Sequence, residues 1–522
     1  MSTPASAGYV TDVAYIPGFY PHLAPTALRY VAMLNRVAPP RVAERFRYLE
    51  LGCGLGRSLT TLAAANPDGD FIGVDINPEH TREVARDIEA GGLTNARIIT
   101  SDFAHLPDDV NNLDFITLHG VWSWVAPAVR DDILRIAHDR LAPGGLLLVS
   151  YNAMPGWAHL QPIRGILRQY AALRKGDSAQ RVSDAVAYLD YMREHKAKYF
   201  VDNPGAATYV DTIRGQDARY LAHEYLNEHW TSFYFAEVAG QFAGAGLTFT
   251  GSLPVHTNFW DLCVAPGFQD LFRTTTDRLV TEAHKDFCAN TMFRWDLYSK
   301  QPRFLPDISD RLREGDDLWY RVSRPGITLP LSVNLGIVTS TVQGQLYETL
   351  LGMLSGKGMR LSEIVADPRC RPAGPADIAR AVDAGVAMRL FDIAREPMHA
   401  AAAAAEPASG RYEIPIAFNR AILARELFGG RGVPMASPLT GSALTLGDLD
   451  AAILSEWIAA GPDGLPARID ALMTSRQRVI NHDGKPITDP TERLARLGTA
   501  CTSFAATVMP RLEEQGMVVR VG

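Results

Sequence analysis

Over the first 150 residues, short apolar runs alternate with glycine turns and with stretches of helical spacing. Tyr48-Leu-Glu-Leu51, Asp70-Phe-Ile-Gly-Val-Asp75, Arg97-Ile-Ile-Thr-Ser-Asp102-Phe103, Leu113-Asp-Phe-Ile-Thr-Leu-His119 and Gly145-Leu-Leu-Leu-Val-Ser-Tyr151 predict five buried strands. A helix is predicted at about 26–38, where Leu28, Val31, Ala32 and Leu34 fall near helical spacing. Residues 156–219 read as mostly helical, carried by the amphipathic runs Gln161–Arg168 and Ser183–Asp190. A helix over Phe233–Gly246, stopped by glycine, precedes a strand, Leu247–Leu253. Residues 266–300 read as helical, Asn290–Leu297 included. Residues 325–395 alternate strand and helix patterns, and Leu346–Leu354, Leu361–Val365 and Pro375–Val382 suggest a winged-helix-like unit. The alanine-rich run Ala400–Gly410, with Pro407, reads as a surface helix or linker, and the remainder as mostly helical.

The turn after the first strand carries the most chemical information. Its glycines are Gly52, Gly54 and Gly56, and position 57, where a dinucleotide fingerprint needs a third-spaced glycine, is Arg57. Glu50 just before the turn would repel a pyrophosphate at a helix N-terminus. It would welcome a cation, and S-adenosylmethionine (SAM) carries an ammonium and a sulfonium. Asp75 lies 19 residues past Gly56, near the spacing at which a strand-end carboxylate grips ribose hydroxyls. Asp102 could accept from an adenine amino group while Phe103 packs on its face.

Glu50-x-Gly-x-Gly-x-Gly56, the acid at Asp75, the Asp102-Phe103 pair and Leu141-Ala-Pro-Gly-Gly145 before strand five resemble, in that order, the class I SAM-dependent methyltransferases. His223-Glu224-Tyr225-Leu226 and Phe293-Arg294 resemble the methyltransferase regulatory region of large bacterial methyltransferases. Among these the chain is similar to the rickettsial-type outer-membrane-protein lysine methyltransferases. The resemblance covers the SAM half well, the middle fairly and the rest loosely. It implies an α/β fold: a Rossmann-like SAM-binding domain (1–155), a helical insertion serving as lid or dimer contact (156–224), completion of the sheet (225–265), a middle or regulatory domain (266–400) and a C-terminal domain (401–522). In that family the Ala-Gly-terminated helix directly follows strand five. Residues 153–232 intervene here, which places the insertion.

The expected cofactor contacts are Glu50, Gly52, Cys53, Gly54, Gly56, Asp75, Ile76, Asp102, Phe103, His119 and Gly120. Ligands of open α/β sheets bind beyond the carboxyl ends of the strands. His119, Trp122, Tyr151 and Tyr20 are therefore the expected acceptor-side residues, with Trp124 read as core packing. Asn152 sits beside Tyr151. The segment Tyr15–Pro25, rich in aromatics and proline, suits a cover over the pocket, where tyrosines attract a sulfonium. Cys53 reads as a small packed residue. His223 and Glu224, being adjacent, diverge by about 100° in a helix and are not a metal pair. Capping or interdomain hydrogen bonding is their better reading, with a proton relay as the other.

Composition narrows the partners. The 522 residues are 47% hydrophobic and 21% charged, which predicts two to four globular domains. A net charge of −7 speaks against nucleic acid as partner, and favours docking over DNA binding for the winged-helix-like unit. No apolar run reaches membrane-spanning length and the N-terminus reads as no signal segment, so no membrane partner and a cytoplasmic location are expected. Five scattered cysteines give neither metal spacing nor a disulfide framework, so no metal is expected. Alanine and arginine richness suggests a bacterial source. A homodimer fits the extra domains.

His119-Gly-Val-Trp122 stands where base and amide methyltransferases commonly carry Asn/Asp-Pro-Pro-aromatic, which disfavours adenine and glutamine-amide methylation. The leading reading is methylation of lysine amines in a protein, since a small acceptor does not need so large an accessory region. A small-molecule O- or N-methyltransferase is the runner-up, and a SAM-binding regulator without turnover the third.

Overall fold

The computed structural model describes residues 8–10, 12–13, 15–41, 45–314, 317–397, 409–482 and 485–521. The alanine-rich run from Ala400 lies almost wholly outside them, as do the first seven residues.

Seven strands form the central sheet in the order β3-β2-β1-β4-β5-β7-β6. Their ranges are β1 Phe46–Leu51, β2 Gly69–Asp75, β3 Ala96–Thr100, β4 Leu113–Leu118, β5 Leu141–Asn152, β6 Leu247–Leu253 and β7 Phe293–Lys300. The first five run parallel, and β7 is antiparallel to both β5 and β6. β1, β4 and β5 are buried almost throughout, as expected of a parallel sheet covered on both faces. One face packs Leu49, Ile116, Val149 and Phe242 together, the other Tyr48, Phe71, Phe115 and Leu148.

One element departs from the sequence reading. The stretch 266–300 is helical only to Ala289, in helices Gln269–Thr274 and Arg278–Ala289, and Phe293–Lys300 is β7. Arg294 and Asp296 make this stretch look unsuited to a buried strand. They are nevertheless buried, because Arg294 Nε bonds both Asp296 oxygens at 3.0 Å, while its other nitrogens reach Asp286, Glu282 and Ser252. The buried charges are thus satisfied by one another. The sheet is therefore complete only at Lys300, well past residue 265.

The interval between β5 and β6 holds the expected helices: Gln161–Ala172, Ser178–Glu194, Lys198–Asp202, Pro204–Arg214 and Ala218–Tyr225. They share a core of their own, including Leu167, Val186, Val210 and Leu221. Strands Trp319–Val322, Met359–Arg360 and Phe391–Ala394 form a small antiparallel sheet carrying helices Gln345–Leu354, Leu361–Ala366 and Pro375–Ala387, a winged-helix-like arrangement. The C-terminal part is mostly helical around Trp457, Ile453 and Phe504, with a hairpin, Val433–Ser437 and Ser442–Leu446.

Both later units are tied to helices that pack on the central sheet. The helix Pro25–Leu34 sends Arg29 to Asp317 at 2.5 Å and Tyr30 to Asp383 at 2.9 Å. Arg57, first residue of the helix after the glycine turn, is buried and pairs with Glu426 at 2.6 Å.

Candidate active site

The glycine turn is shaped by what a side chain would strike. Gly52 and Gly56 have φ of +69° and +65°. A Cβ on Gly52 would meet Val121 at 2.6 Å, and one on Gly56 would meet Val84 at 2.5 Å. Both the left-handed backbone and the close approach demand glycine. At Gly54 nothing lies within 4 Å, so the backbone there is bare toward open space.

Asp75, at the end of β2, organises the turn. Its Oδ2 accepts from the Gly54 N–H at 2.9 Å; its Oδ1 accepts from Asn77 N–H at 2.9 Å and lies 3.2 Å from His80 Nδ1. Asp102 caps the short helical turn Phe103–His105 through the His105 N–H at 3.0 Å. The segment before Pro21 folds back over the turn, with the Tyr20 N–H donating to Ser58 Oγ at 3.0 Å.

These elements enclose a cavity of about 380 Å³, within the range of small-molecule sites. Its lining includes every expected cofactor contact: Glu50, Gly52, Cys53, Gly54, Gly56, Asp75, Ile76, Asp102, Phe103, His119 and Gly120, and also Tyr20. Tyr15 of the expected N-terminal cover lines it too, as does a residue the sequence reading missed: His80, buried with Nε2 unpartnered among the described residues. His80 stands five residues past Asp75, at the start of the next helix, a position the strand-end logic does not reach.

The donor set fits SAM. Glu50 is 5% exposed and its Oε2 has no partner among the described residues. Burial, with Asp75 nearby, pushes its carboxyl up to about 8. Such a group is stabilised in its charged form by an incoming ammonium. Asp75 presents a carboxylate to which ribose hydroxyls could donate, and Asp102 with Phe103 and Ile76 offers an acceptor and apolar faces to a base. Burial, aided by the neighbouring Asp75 and Glu50, drives the Cys53 thiol well above its ordinary range, so it is not a thiolate nucleophile. Among the described residues no cluster of three or more His, Cys, Asp or Glu could hold a metal, and no helix is long and apolar enough to cross a membrane.

The acceptor side differs from the sequence reading. Trp122 is wholly buried against Phe242, ring centroids 5.0 Å apart, and lines neither this cavity nor its neighbour. Tyr151 is also fully buried, its hydroxyl donating to Asp296 at 2.6 Å. Alternation along β5 turns Tyr151 into the core, where it packs with Trp122 and Phe233. Tyr20 and His119 do meet, rings 4.0 Å apart, and Trp124 joins them in the lining instead of the core alone.

A second chamber of about 290 Å³ adjoins the first, sharing Tyr9, Tyr15, Tyr20, His119, Gly120 and Trp124. Its far wall comes from Tyr220, His223 and Glu224 of the inserted helix Ala218–Tyr225, and from Phe293 and Trp295 of β7. Glu224 is its one carboxylate among the described lining residues. Burial raises Glu224 to about 7. Trp230 and Asn152 lie near enough to favour its charged form, although neither reaches full hydrogen-bonding geometry. His223, also in the lining, bonds the Val13 carbonyl at 3.0 Å, an interdomain contact of the kind expected.

His119 sits between the chambers. Its Nδ1 lies 2.8 Å from Ser150 Oγ and accepts from the Trp295 indole N–H at 3.1 Å. Burial, with His22 nearby, lowers its imidazole to about 3.

Residues 49–145 match the family model described as "Methyltransferase domain", and residues 217–300 one described as "Predicted methyltransferase regulatory domain". The second match spans Glu224, β6 and β7, so this region completes the sheet and the second chamber. An uncharacterized protein of Synechocystis sp. is 27% identical over 512 residues, 98% of this chain and 99% of the relative. An uncharacterized protein of Rickettsia prowazekii is 28% identical over 289 residues, 55% of this chain and 51% of the relative. The solved structure of PKMT2 from Rickettsia typhi in complex with AdoHcy shares the fold with a TM-score of 0.72 at 18% identity, covering 97% of this chain and 99% of that one.

Proposed function

We propose that this chain, a SAM-dependent methyltransferase built on a class I methyltransferase domain, transfers the methyl group to lysine amines of a protein substrate. The observation that carries the reading is the second chamber. It is walled by aromatic rings, holds one carboxylate among its described lining residues, and adjoins the cofactor cavity, with which it shares Tyr9, Tyr15, Tyr20, His119, Gly120 and Trp124. A slender cationic side chain matches that lining, because aromatic faces attract a cation and a buried carboxylate pairs with it. Likeness in fold to PKMT2 over nearly the whole chain, and resemblance to the rickettsial-type lysine methyltransferases, favour the same reading.

SAM supplies an activated methyl group on sulfur. The protein's part is to hold donor and acceptor in line and exclude water. Glu50 and Asp75 would hold the amino acid and ribose portions, and the Tyr15–Tyr20 cover closes the cavity. His119, neutral and fixed by Trp295 and Ser150, shapes the passage between the chambers.

The reading is tested by methyl-labelled SAM with the full chain and polylysine or unfolded protein as acceptor, followed by acid hydrolysis. Recovery of labelled N-methyllysine supports it. Label confined to small molecules, or to base-labile esters, would replace it with small-molecule or carboxyl methylation.

A further inference from the structure

Transfer to a lysine amine requires that the amine lose a proton, since the free side chain has a pKa of about 10.4 and an ammonium has no lone pair to attack with. Three ionisable side-chain types line the second chamber: tyrosines, histidines and one carboxylic acid. His119 is unsuited, because its Nδ1 already accepts from Trp295. The tyrosine hydroxyls are poor bases near neutrality, and burial moves Tyr9, Tyr15, Tyr20 and Tyr220 further up. His223 Nε2 donates to the Val13 carbonyl, and burial lowers its imidazole below the ordinary range, so its Nδ1 is the weaker base.

Resting on the lysine reading above, we propose that Glu224 binds the acceptor's ammonium in the second chamber and takes its proton before methyl transfer. In the first step the proton passes from R–NH3+ to the Glu224 carboxylate, giving R–NH2 and a neutral carboxylic acid. In the second the nitrogen lone pair forms the N–C bond as the C–S bond breaks, its electron pair remaining on sulfur. The products are a methylated ammonium and the uncharged thioether.

The placement suits the task. Glu224 lines the second chamber from the inserted helix Ala218–Tyr225 and is only partly exposed. The groups around it are Arg164, which favours its charge, and Tyr9, Tyr15, Tyr209, Tyr220 and Tyr225. A carboxyl near 7 is half ionised at neutral pH and so can both receive and release a proton there.

Two measurements on the full chain test this. In the first, n-butylammonium, a lysine side chain without its backbone, is titrated into AdoHcy-loaded protein and followed by tryptophan fluorescence, since Trp124 and Trp295 line the chamber. Glu224→Gln is expected to weaken its binding roughly 10- to 100-fold while leaving n-butanol binding unchanged. Equal binding of n-butylammonium by both proteins, or none by the wild type, overturns the inference.

In the second, kcat/KM with polylysine is followed against pH. The wild type should level off above about pH 7, whereas Glu224→Gln should fall about 100-fold and keep rising toward the lysine pKa. Glu224→Asp should recover the levelling. Identical profiles for wild type and Glu224→Gln, with labelled methyllysine formed by both, overturn the role of Glu224 and leave the lysine reading intact. Glu224-dependent n-butylammonium binding without methyllysine formation does the reverse.

Discussion

The Trp295 indole N–H donates to His119 Nδ1 at 3.1 Å, across 176 residues of chain. An indole can only donate, so Nδ1 is unprotonated and the neutral ring carries its hydrogen on Nε2. A strand of the so-called regulatory region thereby fixes the tautomer of a residue at the end of β4. His119 is expected to stay neutral throughout the physiological range.

Its folded pKa of about 3 lies below the ordinary 6.5. As pH falls below 6.5 the unfolded chain takes up this proton and the folded chain does not. The contribution to stability is therefore full above pH 6.5 and is lost as pH falls toward 3. Ring resonances of His119, assigned by their loss in His119→Asn, should not titrate between pH 8 and 5, and that variant should lose less stability over the interval pH 6.5 to 4. A midpoint near 6.5 would contradict the assignment.

Glu50 works with the opposite sign. Its folded pKa, raised to about 8, means that the folded protein without cofactor holds a proton there at pH 7 which the unfolded chain has released. The associated stability is complete below about pH 4.5 and is lost as pH rises through 8. Binding of a cationic amino group should expel that proton. Calorimetry of SAM binding at pH 7 in buffers of differing ionisation enthalpy should show release approaching one proton, absent in Glu50→Gln. Proton-neutral binding by the wild type would sink the pairing.

Asp75 accepts from two backbone N–H groups and from His80. Asp75→Ala removes both the turn's organiser and the proposed ribose acceptor, and should weaken SAM binding by about 100-fold, some 2.7 kcal/mol. Unchanged affinity in equilibrium dialysis would place the cofactor elsewhere.

Tyr151 and Trp122 should behave as core residues. Tyr151→Phe leaves Asp296 short of one donor and should cost about 1–3 kcal/mol of stability, and Trp122→Ala about 3–5 kcal/mol. At temperatures where the variants remain folded, KM for SAM should hardly move. A large fall in kcat at full stability would restore them to the chemistry.

The buried pair Arg57–Glu426 fastens the C-terminal part to the helix that follows the glycine turn. Glu426→Ala strands a buried guanidinium and should cost about 3–5 kcal/mol, visible as a lower midpoint in urea. Because Arg57 also lines the cofactor cavity, SAM should recover part of that loss.

The cofactor side was legible in the sequence because its residues sit in short contiguous motifs whose spacing the βα geometry dictates. Gly52 to Gly56, Asp75 and Asp102-Phe103 each close a strand, and strands in order deliver them to one end of the sheet. The acceptor side was less legible. Tyr151, next to the strand's end, is buried in the core with its hydroxyl on Asp296, a partner 145 residues further on that the local pattern does not show. Glu224 arrives from an inserted helix whose rotation is set by its own core of Leu221 and Ala222. The strand Phe293–Lys300 was disguised by Arg294 and Asp296, charges that satisfy each other two residues apart on one strand. The winged-helix-like pattern was readable because its helices alternate apolar and polar positions regularly.

The central claim, methyl transfer to lysine amines, is met most directly by acid hydrolysis of acceptor protein after incubation of the full chain with methyl-labelled SAM. The account predicts labelled N-methyllysine that survives base treatment and disappears with Asp75→Ala. Label found only in base-labile protein esters or only in small molecules would contradict it.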